Sequence, residues 1–138
     1  MMLTIWRHGE AERGAVDRLR QLTETGCDDI GFGCRQFHEA CSARDIPHPG
    51  LILHSPWLRT SQAAEIIAAA LTHADSREEA ALAPGSDAAA VDAALGDIAA
   101  GDHILLVSHQ PLVSWLAAYY LGDEASSPSL TPGGFVTL

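Results

Sequence analysis

The stretch Leu3-Thr4-Ile5-Trp6-Arg7-His8-Gly9-Glu10 changes from mostly apolar to charged between its two halves. Its first four residues are typical of a short β-strand, and Gly9 allows a tight turn where a side chain would clash. In open α/β sheets, ligands bind at the carboxyl ends of the strands. An arginine and a histidine at such an end suit a negatively charged substrate, although an ordinary surface loop can also contain them.

The rest of the chain alternates between segments typical of strands and of helices. Further strands are predicted at residues 51–54, 80–82, 103–107 and 135–138, and helices at 24–43, 57–72, 88–100 and 112–121. The strand at 103–107 is the most apolar and should lie at the centre of the sheet. This alternation predicts an α/β fold, a three-layer α/β/α sandwich with a mostly parallel mixed sheet, in a single domain over residues 1–138.

Polar residues mark the predicted beginnings of three helices. Thr23, Ser55 and Asp87 are expected to act as N-caps, because each side chain can accept a hydrogen bond from a free N–H of the first turn. Pro56 suits the first helical position, where no N–H is needed.

The balance of charge argues against one class of function. The chain has 18 acidic residues against eight arginines and no lysine, for a net charge of −10. A general nucleic-acid-binding protein needs a basic face, so this class is disfavoured. A local cluster of arginine and histidine can still attract an anionic substrate within an acidic surface.

Apolar segments in the chain are short. None approaches the ~20 residues of a membrane span, and the sequence enters its first strand without a segment typical of a signal peptide. We therefore expect a cytoplasmic protein that does not contact a membrane. The oligomeric state is left open, and a monomer is compatible with the sequence.

Three cysteines, Cys27, Cys34 and Cys41, are spaced seven residues apart. On a helix this spacing places them on one stripe with Ile30 and Phe37, about 10 Å between successive Cα atoms. A disulfide needs Cα atoms within about 7 Å, so they cannot pair inside one helix. They are expected to be small buried hydrophobic residues. No C-x-x-C spacing occurs, so no metal site is predicted.

Similar polar residues follow three of the predicted strands. The segments are Arg7-His8, Ser55-Pro56-Trp57-Leu58-Arg59 and Ser108-His109-Gln110-Pro111. If the strands are parallel, these ends meet at one edge of the sheet, two of them beside helix N-termini that attract anions. Arginine donors match the oxygens of phosphate. Taken singly, each side chain could be an ordinary structural residue, but together they predict a site for a tetrahedral oxyanion.

The motifs Arg7-His8-Gly9, Leu22-Thr23-x-x-Gly26, Ser55-Pro56-x-x-Arg59 and Ser108-His109 resemble those of the histidine phosphatase superfamily. The longer set Arg7-His8-Gly9-Glu10-Ala11, Arg20-x-Leu22-Thr23-x-x-Gly26-Cys27 and Ser108-His109-x-Pro111-Leu112-Val113 is similar to its small phosphohistidine phosphatase branch, the SixA-like proteins. The resemblance covers nearly the whole chain. It implies a phosphoglycerate mutase-like fold in a minimal version without a large insertion.

This resemblance implies catalytic roles for four residues. His8 would be the nucleophile and would be transiently phosphorylated. Arg7 and Arg59 would hold the phosphoryl oxygens, and His109 would donate to the phosphoryl group from the other side. No metal and no cofactor is expected, because arginine and histidine supply the positive charge that phosphoryl transfer requires.

Two further residues are expected to bind substrate. Arg20 matches a basic position that the branch uses near the phosphate, although it could instead simply pair with a nearby carboxylate. The N–H of Gln110, at the start of a helix, could add a donor.

Three positions depart from the family pattern. His54 stands where a small residue is common, Ala63 replaces a threonine, and Gln21 replaces a proline. None of these changes removes a proposed catalytic side chain, and they leave the substrate open.

The source of a proton for the leaving group is the remaining question. Superfamily members that act on sugar or alcohol phosphates use a carboxylate from an insertion, and no long insertion is found here. Asp87 is better explained as a helix cap and Glu10 as a solvated loop residue. The nitrogen of phosphohistidine leaves more readily than an alkoxide. The leading hypothesis is therefore a phosphatase for phosphohistidine on a signalling or phosphotransfer protein.

Two alternatives remain. One is a phosphatase of the same superfamily that acts on a small metabolite ester. The other is a binding module for phosphate or a phosphoprotein, without turnover. The remaining histidines, His38, His48, His54, His73 and His103, belong to no motif and are expected to be surface or structural residues.

Overall fold

The computed structural model describes residues 2–71, 74–98, 101–122 and 129–138. Its sheet has five strands, β1 (Met2–Arg7), β2 (Leu51–His54), β3 (Asp75–Glu78), β4 (His103–Ser108) and β5 (Phe135–Thr137), in the order β3-β2-β4-β1-β5. Strands β1 to β4 pair in parallel, and β5 pairs antiparallel with β1. The predicted mostly parallel mixed sheet is confirmed.

Four α-helices are present in the described residues: α1 (Glu24–Arg44), α2 (Leu58–Ala70), α3 (Ala88–Gly96) and α4 (Leu112–Leu121). Two short 3-10 helices cover Asp17–Leu19 and Ala80–Leu82. Helices α2 and α3 end slightly earlier than predicted, and residues 72, 99 and 100 of those predictions lie outside the described part. No helix there is long and apolar enough to cross a membrane.

The two faces of the sheet carry separate hydrophobic cores, because side chains alternate along a strand. Leu105 and Val107 of β4 pack in the core with α1 and α2, while Ile104 and Leu106 pack in the core with α3 and α4. All six residues of β4 are buried, as expected for a central strand. The three-layer α/β/α arrangement is confirmed.

Strand register brings the carboxyl ends of three strands to one edge. Arg7 at the end of β1 lies opposite Ser108 at the end of β4, and His54 at the end of β2 lies opposite Val107. The residues that follow each strand therefore emerge side by side, which is the convergence that the sequence predicts.

The prediction of an edge strand at residues 80–82 is wrong. The edge strand next to β2 is β3, whose four residues are all exposed, and residues 80–82 form a 3-10 helix. Leu82 is fully buried in the core with α3 and α4, so its apolar character reflects core packing rather than strand pairing. Glu79 caps this turn by accepting a hydrogen bond from the N–H of Ala81 at 2.9 Å.

Two of the three predicted N-caps are confirmed. The Thr23 hydroxyl accepts from the N–H of Gly26 at 3.0 Å, and the Asp87 carboxylate accepts from the N–H of Ala90 at 2.8 Å. Each satisfies a donor that the first helical turn would otherwise leave free.

Ser55 is not the N-cap of α2. That helix begins at Leu58 after Trp57, so Pro56 precedes it and is not its first residue. Two residues separate Ser55 from the helix start, and the serine hydroxyl instead contacts His109 at the end of β4.

The cysteine stripe on α1 is confirmed in part. Cys34 and Cys41 are buried with Ile30 and Phe37, but Cys27 lies in the first turn and is exposed. All three are free thiols. Among the described residues no group of three or more His, Cys, Asp or Glu side chains could hold a metal ion.

Backbone contact between two glycines holds the loop after β1 against α1. A Cβ on Gly26 would overlap the carbonyl oxygen of Glu10, and a Cβ on Gly9 would overlap the carbonyl oxygen of Gly26. Only residues without side chains allow this approach, which fixes the position of the loop that carries His8.

We expect Gly26→Ala to lower the free energy of unfolding by about 1–3 kcal/mol, since the new methyl group must displace backbone atoms. Gly31→Ala is the matched control, because Gly31 lies in the same helix and a Cβ added to it would meet no atom of another segment within 4 Å. That control should gain about 0.5–1 kcal/mol from helix propensity. Urea unfolding of both variants measures the difference, and equal stabilities would contradict the close approach.

Candidate active site

Three strand ends bring His8, Arg59 and His109 into one cluster. The centroids of the His8 and His109 rings are 5.2 Å apart, in an edge-to-face arrangement. The Nε of Arg59, near the start of α2, is 3.3 Å from Nε2 of His8. Side chains that are far apart in the chain thus meet at the carboxyl edge of the sheet, where α/β folds hold their ligands.

The His8 ring has a defined protonation pattern. Its Nδ1 lies 2.6 Å from the carbonyl oxygen of Gly9, which can only accept, so Nδ1 carries the proton. Burial lowers the pKa of His8 to about 4, and the positive charges of Arg59, Arg7 and Arg20 act in the same direction against the opposing effect of the Gly9 hydrogen bond. The ring is therefore neutral near pH 7, with the Nε2 lone pair directed into the cluster.

Arg59 is held by all three of its guanidinium nitrogens. Besides the contact with His8, its Nη1 donates to the backbone oxygen of Asp17 at 2.8 Å, and its Nη2 donates to the Asp17 carboxylate at 3.3 Å. Only 5% of Arg59 is exposed. A guanidinium fixed in this way keeps its orientation beside His8 at little entropic cost.

His109 is buried between the ends of β4 and β2. Its Nε2 lies 2.7 Å from the hydroxyl of Ser55, and its Nδ1 has no hydrogen-bond partner among the described residues. Burial lowers the pKa of His109 to about 3, with smaller contributions from the charges of His8 and Arg59 and an opposing one from Asp17. This ring is also neutral near pH 7.

Arg7 is fixed by the segment that precedes β5. Its Nη1 donates to the backbone oxygen of Leu130 at 2.8 Å, and its backbone N–H donates to Gly134 at 2.9 Å. The N–H of Gly133 donates to the backbone oxygen of His8 at 3.1 Å. The sequence indicated only a loop here, and no local signal in it points to this role.

Two buried side-chain nitrogen atoms lack partners among the described residues, Nε of Arg7, which is a donor, and Nδ1 of His109. A third such atom, Nε1 of Trp6, lies in the aromatic core with Phe37 and Phe135. Unpaired buried polar groups are costly, so it is informative that two of them belong to the residue before His8 and to the ring in contact with His8. An oxyanion can accept hydrogen bonds from an arginine Nε–H and from a protonated imidazole nitrogen.

Arg20 pairs with a nearby carboxylate, which is the alternative to substrate binding that the sequence left open for this residue. Its Nε donates to the backbone oxygen of Glu12 at 2.7 Å, and its Nη1 pairs with Asp17 at 3.0 Å. Its charge is nevertheless close enough to lower the pKa of His8. The structure therefore places Arg20 at the border of the cluster, with its guanidinium engaged by Asp17.

Gln110 follows His109 directly and precedes Pro111, the residue before α4. Its side-chain oxygen accepts a hydrogen bond from the Ser114 hydroxyl at 2.8 Å, so the side chain lies along the helix. The expected role of its backbone N–H as a substrate donor stays a prediction.

Asp17 is a residue of this site that the sequence patterns did not indicate. Its carboxylate accepts from Arg20, from the indole N–H of Trp57 at 3.2 Å and from Arg59. The Arg20 hydrogen bond is the main reason that the pKa of Asp17 is lowered, and Arg59 and Trp57 act in the same direction. Asp17 lies in a polar stretch without periodicity or motif, so no local pattern marks it.

Histidines outside the cluster have structural or surface positions, as predicted. His54 and His103 are buried and hydrogen-bonded to neighbouring backbone oxygens. His38 and His48 are exposed and lie 3.2 Å apart through their ring nitrogens. His73 lies outside the described residues.

Comparison with known proteins identifies the class of this fold. A solved structure of the protein histidine phosphatase SixA complexed with tungstate matches all of this chain and 94% of its own, with a TM-score of 0.80 and 26% identity. A protein from Agrobacterium tumefaciens assigned as a phosphohistidine phosphatase SixA has a TM-score of 0.82 and 19% identity over 99% of this chain and 89% of its own. A mycobacterial glucosyl-3-phosphoglycerate phosphatase has a TM-score of 0.71 and 18% identity over 99% of this chain and 89% of its own.

No protein-family model matches the sequence, and no curated protein matches it. The structural matches nevertheless confirm the resemblance that the motifs indicate. The chain has the phosphoglycerate mutase-like fold of the histidine phosphatase superfamily, and SixA-type phosphatases are among the structures it resembles. These findings indicate a phosphatase of this superfamily.

The buried neutral histidines predict a loss of stability in acid. In the unfolded chain both rings protonate near pH 6.5, whereas in the folded protein His8 resists protonation to about pH 4 and His109 to about pH 3. Between these pH values the unfolded state binds more protons than the folded state. The contribution of the two neutral rings to the free energy of unfolding is therefore complete above pH 6.5 and decreases as the pH falls towards 4.

Urea unfolding of the wild-type protein and of His8→Asn at pH 7.5 and pH 5 measures this effect. We expect the variant to lose less stability between the two pH values, because one of the two depressed titrations is removed. An equal loss in both proteins would show that His8 is not buried as a neutral ring.

Proposed function

We propose that this protein is a metal-independent phosphatase that uses His8 as its nucleophile to hydrolyse phosphohistidine on a signalling or phosphotransfer protein. The strongest support is a neutral His8 whose Nε2 lone pair lies beside the guanidinium group of Arg59. The SixA structure bound to tungstate, a tetrahedral oxyanion, supports an anion site in a protein of this fold. The proposal keeps the cytoplasmic location expected from the sequence.

In the first step, Nε2 of His8 attacks the phosphorus atom, and the bond between phosphorus and the leaving nitrogen of the substrate breaks. The phosphoryl group is thereby transferred to His8. Arg59 and Arg7 bind its oxygens, and His109 adds a donor through Nδ1. Catalysis of this kind depends on positioning and on fixed positive charge, which these side chains supply without rearrangement.

The leaving group receives no proton from Asp17. The hydrogen bond from Arg20 lowers the pKa of the Asp17 carboxyl, which is therefore ionised near pH 7. Glu79 and Asp87 are engaged in capping hydrogen bonds. A phosphoimidazole that is protonated on its second nitrogen leaves as neutral imidazole, so it needs no acid from the enzyme. An alkoxide leaving group does need one.

In the second step, water attacks the phosphorus atom of phosphorylated His8. The bond between phosphorus and Nε2 breaks, inorganic phosphate leaves and the neutral ring is restored. Covalent catalysis through His8 thus divides one displacement into two, and both occur among the same donors.

Hydrolysis of a small phosphate ester is the second candidate, since a phosphatase for glucosyl-3-phosphoglycerate has the same fold. The fold alone does not choose between the substrates. The engagement of Asp17, Glu79 and Asp87 in other hydrogen bonds favours the substrate with the better leaving group.

We expect the purified protein to release phosphate from a ³²P-labelled phosphohistidine protein with a kcat/KM at least about 100-fold higher than for sugar or nucleotide monophosphates, because general acid catalysis contributes about 10²–10⁴ where it is needed. His8→Ala should abolish the release and any covalent label retained on the enzyme. His38→Ala, a change at an exposed histidine outside the cluster, should keep wild-type activity. Preferred hydrolysis of a sugar phosphate would favour the second candidate.

We also expect Asp17→Asn to bind inorganic phosphate about two- to fivefold more tightly, since an exposed ion pair contributes less than about 1 kcal/mol. The substitution removes a negative charge between Arg20 and Arg59, while the backbone oxygen of Asp17 still holds Arg59. Inhibition constants for phosphate measure the change.

Asp45→Asn is the control for net charge. Asp45 follows the last residue of α1, a helix of 21 residues and about 30 Å whose start contacts the loop of His8, so Asp45 lies at the end of the helix away from that loop. Phosphate binding should be unchanged in this variant. Weaker binding by Asp17→Asn would instead identify the carboxylate as necessary for holding Arg59 in place.

A further inference from the structure

We propose that Ser55 is a positioning residue that fixes the protonation of the His109 ring, so that His109 presents an N–H and not a lone pair beside His8. The catalytic consequence rests on the proposed function, whereas the protonation pattern itself follows from hydrogen-bonding geometry. In this assignment, the serine of the segment Ser55-Pro56-Trp57-Leu58-Arg59 connects two strand ends and does not cap a helix.

The Ser55 side chain is rigidly placed. It is fully buried, its backbone N–H donates to Val107 of β4 at 3.1 Å, and its backbone oxygen accepts from the Thr60 hydroxyl at 2.8 Å. Its hydroxyl oxygen has two contacts, the backbone N–H of Trp57 at 3.3 Å and Nε2 of His109 at 2.7 Å. The shorter contact joins the end of β2 to the end of β4.

Donors and acceptors around this hydroxyl can be assigned one by one. The N–H of Trp57 can only donate, so it uses a lone pair of the Ser55 oxygen. The single hydroxyl proton of Ser55 then has one acceptor among the described contacts, Nε2 of His109. Because the low pKa of His109 keeps its ring neutral near pH 7, the ring proton must be on Nδ1.

The opposite arrangement is less favourable. If Nε2 of His109 carried the proton and donated to Ser55, the hydroxyl proton would have no acceptor among the described residues, and Nδ1 would be a bare buried acceptor. Two buried polar groups would then be unsatisfied instead of one, and each such group is costly.

In the favoured arrangement, the one unsatisfied group is the Nδ1–H of His109. The His109 ring lies edge-to-face with His8 at 5.2 Å, so this donor belongs to the residue directly beside the nucleophile. Toward a phosphoryl group on His8, an N–H of this neighbouring ring is attractive, whereas a lone pair in its place is repulsive. Ser55 therefore acts on the reaction through His109, without touching the substrate.

Nitrogen-15 NMR of the imidazole rings tests the assignment without any substrate. His109 signals are identified by their loss in His109→Gln. At pH 7 the wild-type protein should show a protonated Nδ1 and an unprotonated Nε2 for His109. In Ser55→Ala we expect this pattern to be lost, with a mixture of the two neutral forms.

Ser108→Ala is the matched control. Ser108 is also a fully buried serine at a strand end and is adjacent to His109 in the chain, but its hydroxyl donates to the backbone oxygen of Leu82 at 2.7 Å. This variant loses a comparable buried hydrogen bond and should keep the wild-type protonation of His109. A difference between Ser55→Ala and Ser108→Ala therefore reports the loss of the contact with the His109 ring and not the loss of a buried serine.

Kinetics provide the second measurement. Relative to Ser108→Ala, Ser55→Ala should lower kcat/KM for the phosphohistidine protein by about tenfold, as expected when a catalytic histidine loses the partner that sets its protonated nitrogen. A wild-type His109 protonated on Nε2 would overturn the proposal, whether or not Ser55→Ala folds. A Ser55→Ala variant with the same ring signals and the same kcat/KM as Ser108→Ala would also overturn the proposal. Absence of turnover by the wild-type protein, with Nδ1 protonated, would instead contradict the proposed function alone.

Discussion

Parallel pairing of β1 with β4, and of β4 with β2, is the constraint on which the rest of the structure depends. The backbone hydrogen bonds of these strands set Arg7 opposite Ser108 and His54 opposite Val107. Residues that begin the following loops then emerge within contact distance, although they are far apart in the chain. Because β4 is buried on both faces, a slip of one residue would move the side chains of each core into the other core, whose packing they do not match. The geometry of the site is therefore protected by the hydrophobic packing beneath it.

Electrostatics at this edge differ from those of the whole molecule. The protein has a net charge of −10, yet His8 is surrounded by the positive charges of Arg7, Arg20 and Arg59. Burial and these charges keep the imidazole neutral, and a neutral imidazole is the form that can attack phosphorus. In the proposed function, the same guanidinium groups attract the anionic substrate, so that one arrangement provides both binding and nucleophile activation. Asp17 balances part of this charge at the solvent side.

Local sequence patterns predicted the part of the site that depends on strand ends. His8 and His109 each follow an apolar strand directly, and parallel strands bring such positions together regardless of their separation in the chain. The patterns did not predict Asp17 or the contact of Leu130 with Arg7, because both join exposed or irregular segments whose positions are set by tertiary packing. The error at β3 has a related cause, since its four exposed polar residues are strand only through backbone pairing with β2.

Structures with the same architecture include phosphatases named for different substrates, so the fold alone does not decide the substrate. In this chain Arg20, Trp57 and Arg59 direct donors at the carboxylate of Asp17, and such donors stabilise its ionised form. A carboxylate that must act as an acid needs the opposite surroundings, with burial and few donors to raise its pKa. The network that fixes Arg59 beside His8 therefore also prevents Asp17 from protonating a leaving group. We therefore propose that this arrangement suits substrates whose leaving atom is a nitrogen that can be protonated in advance.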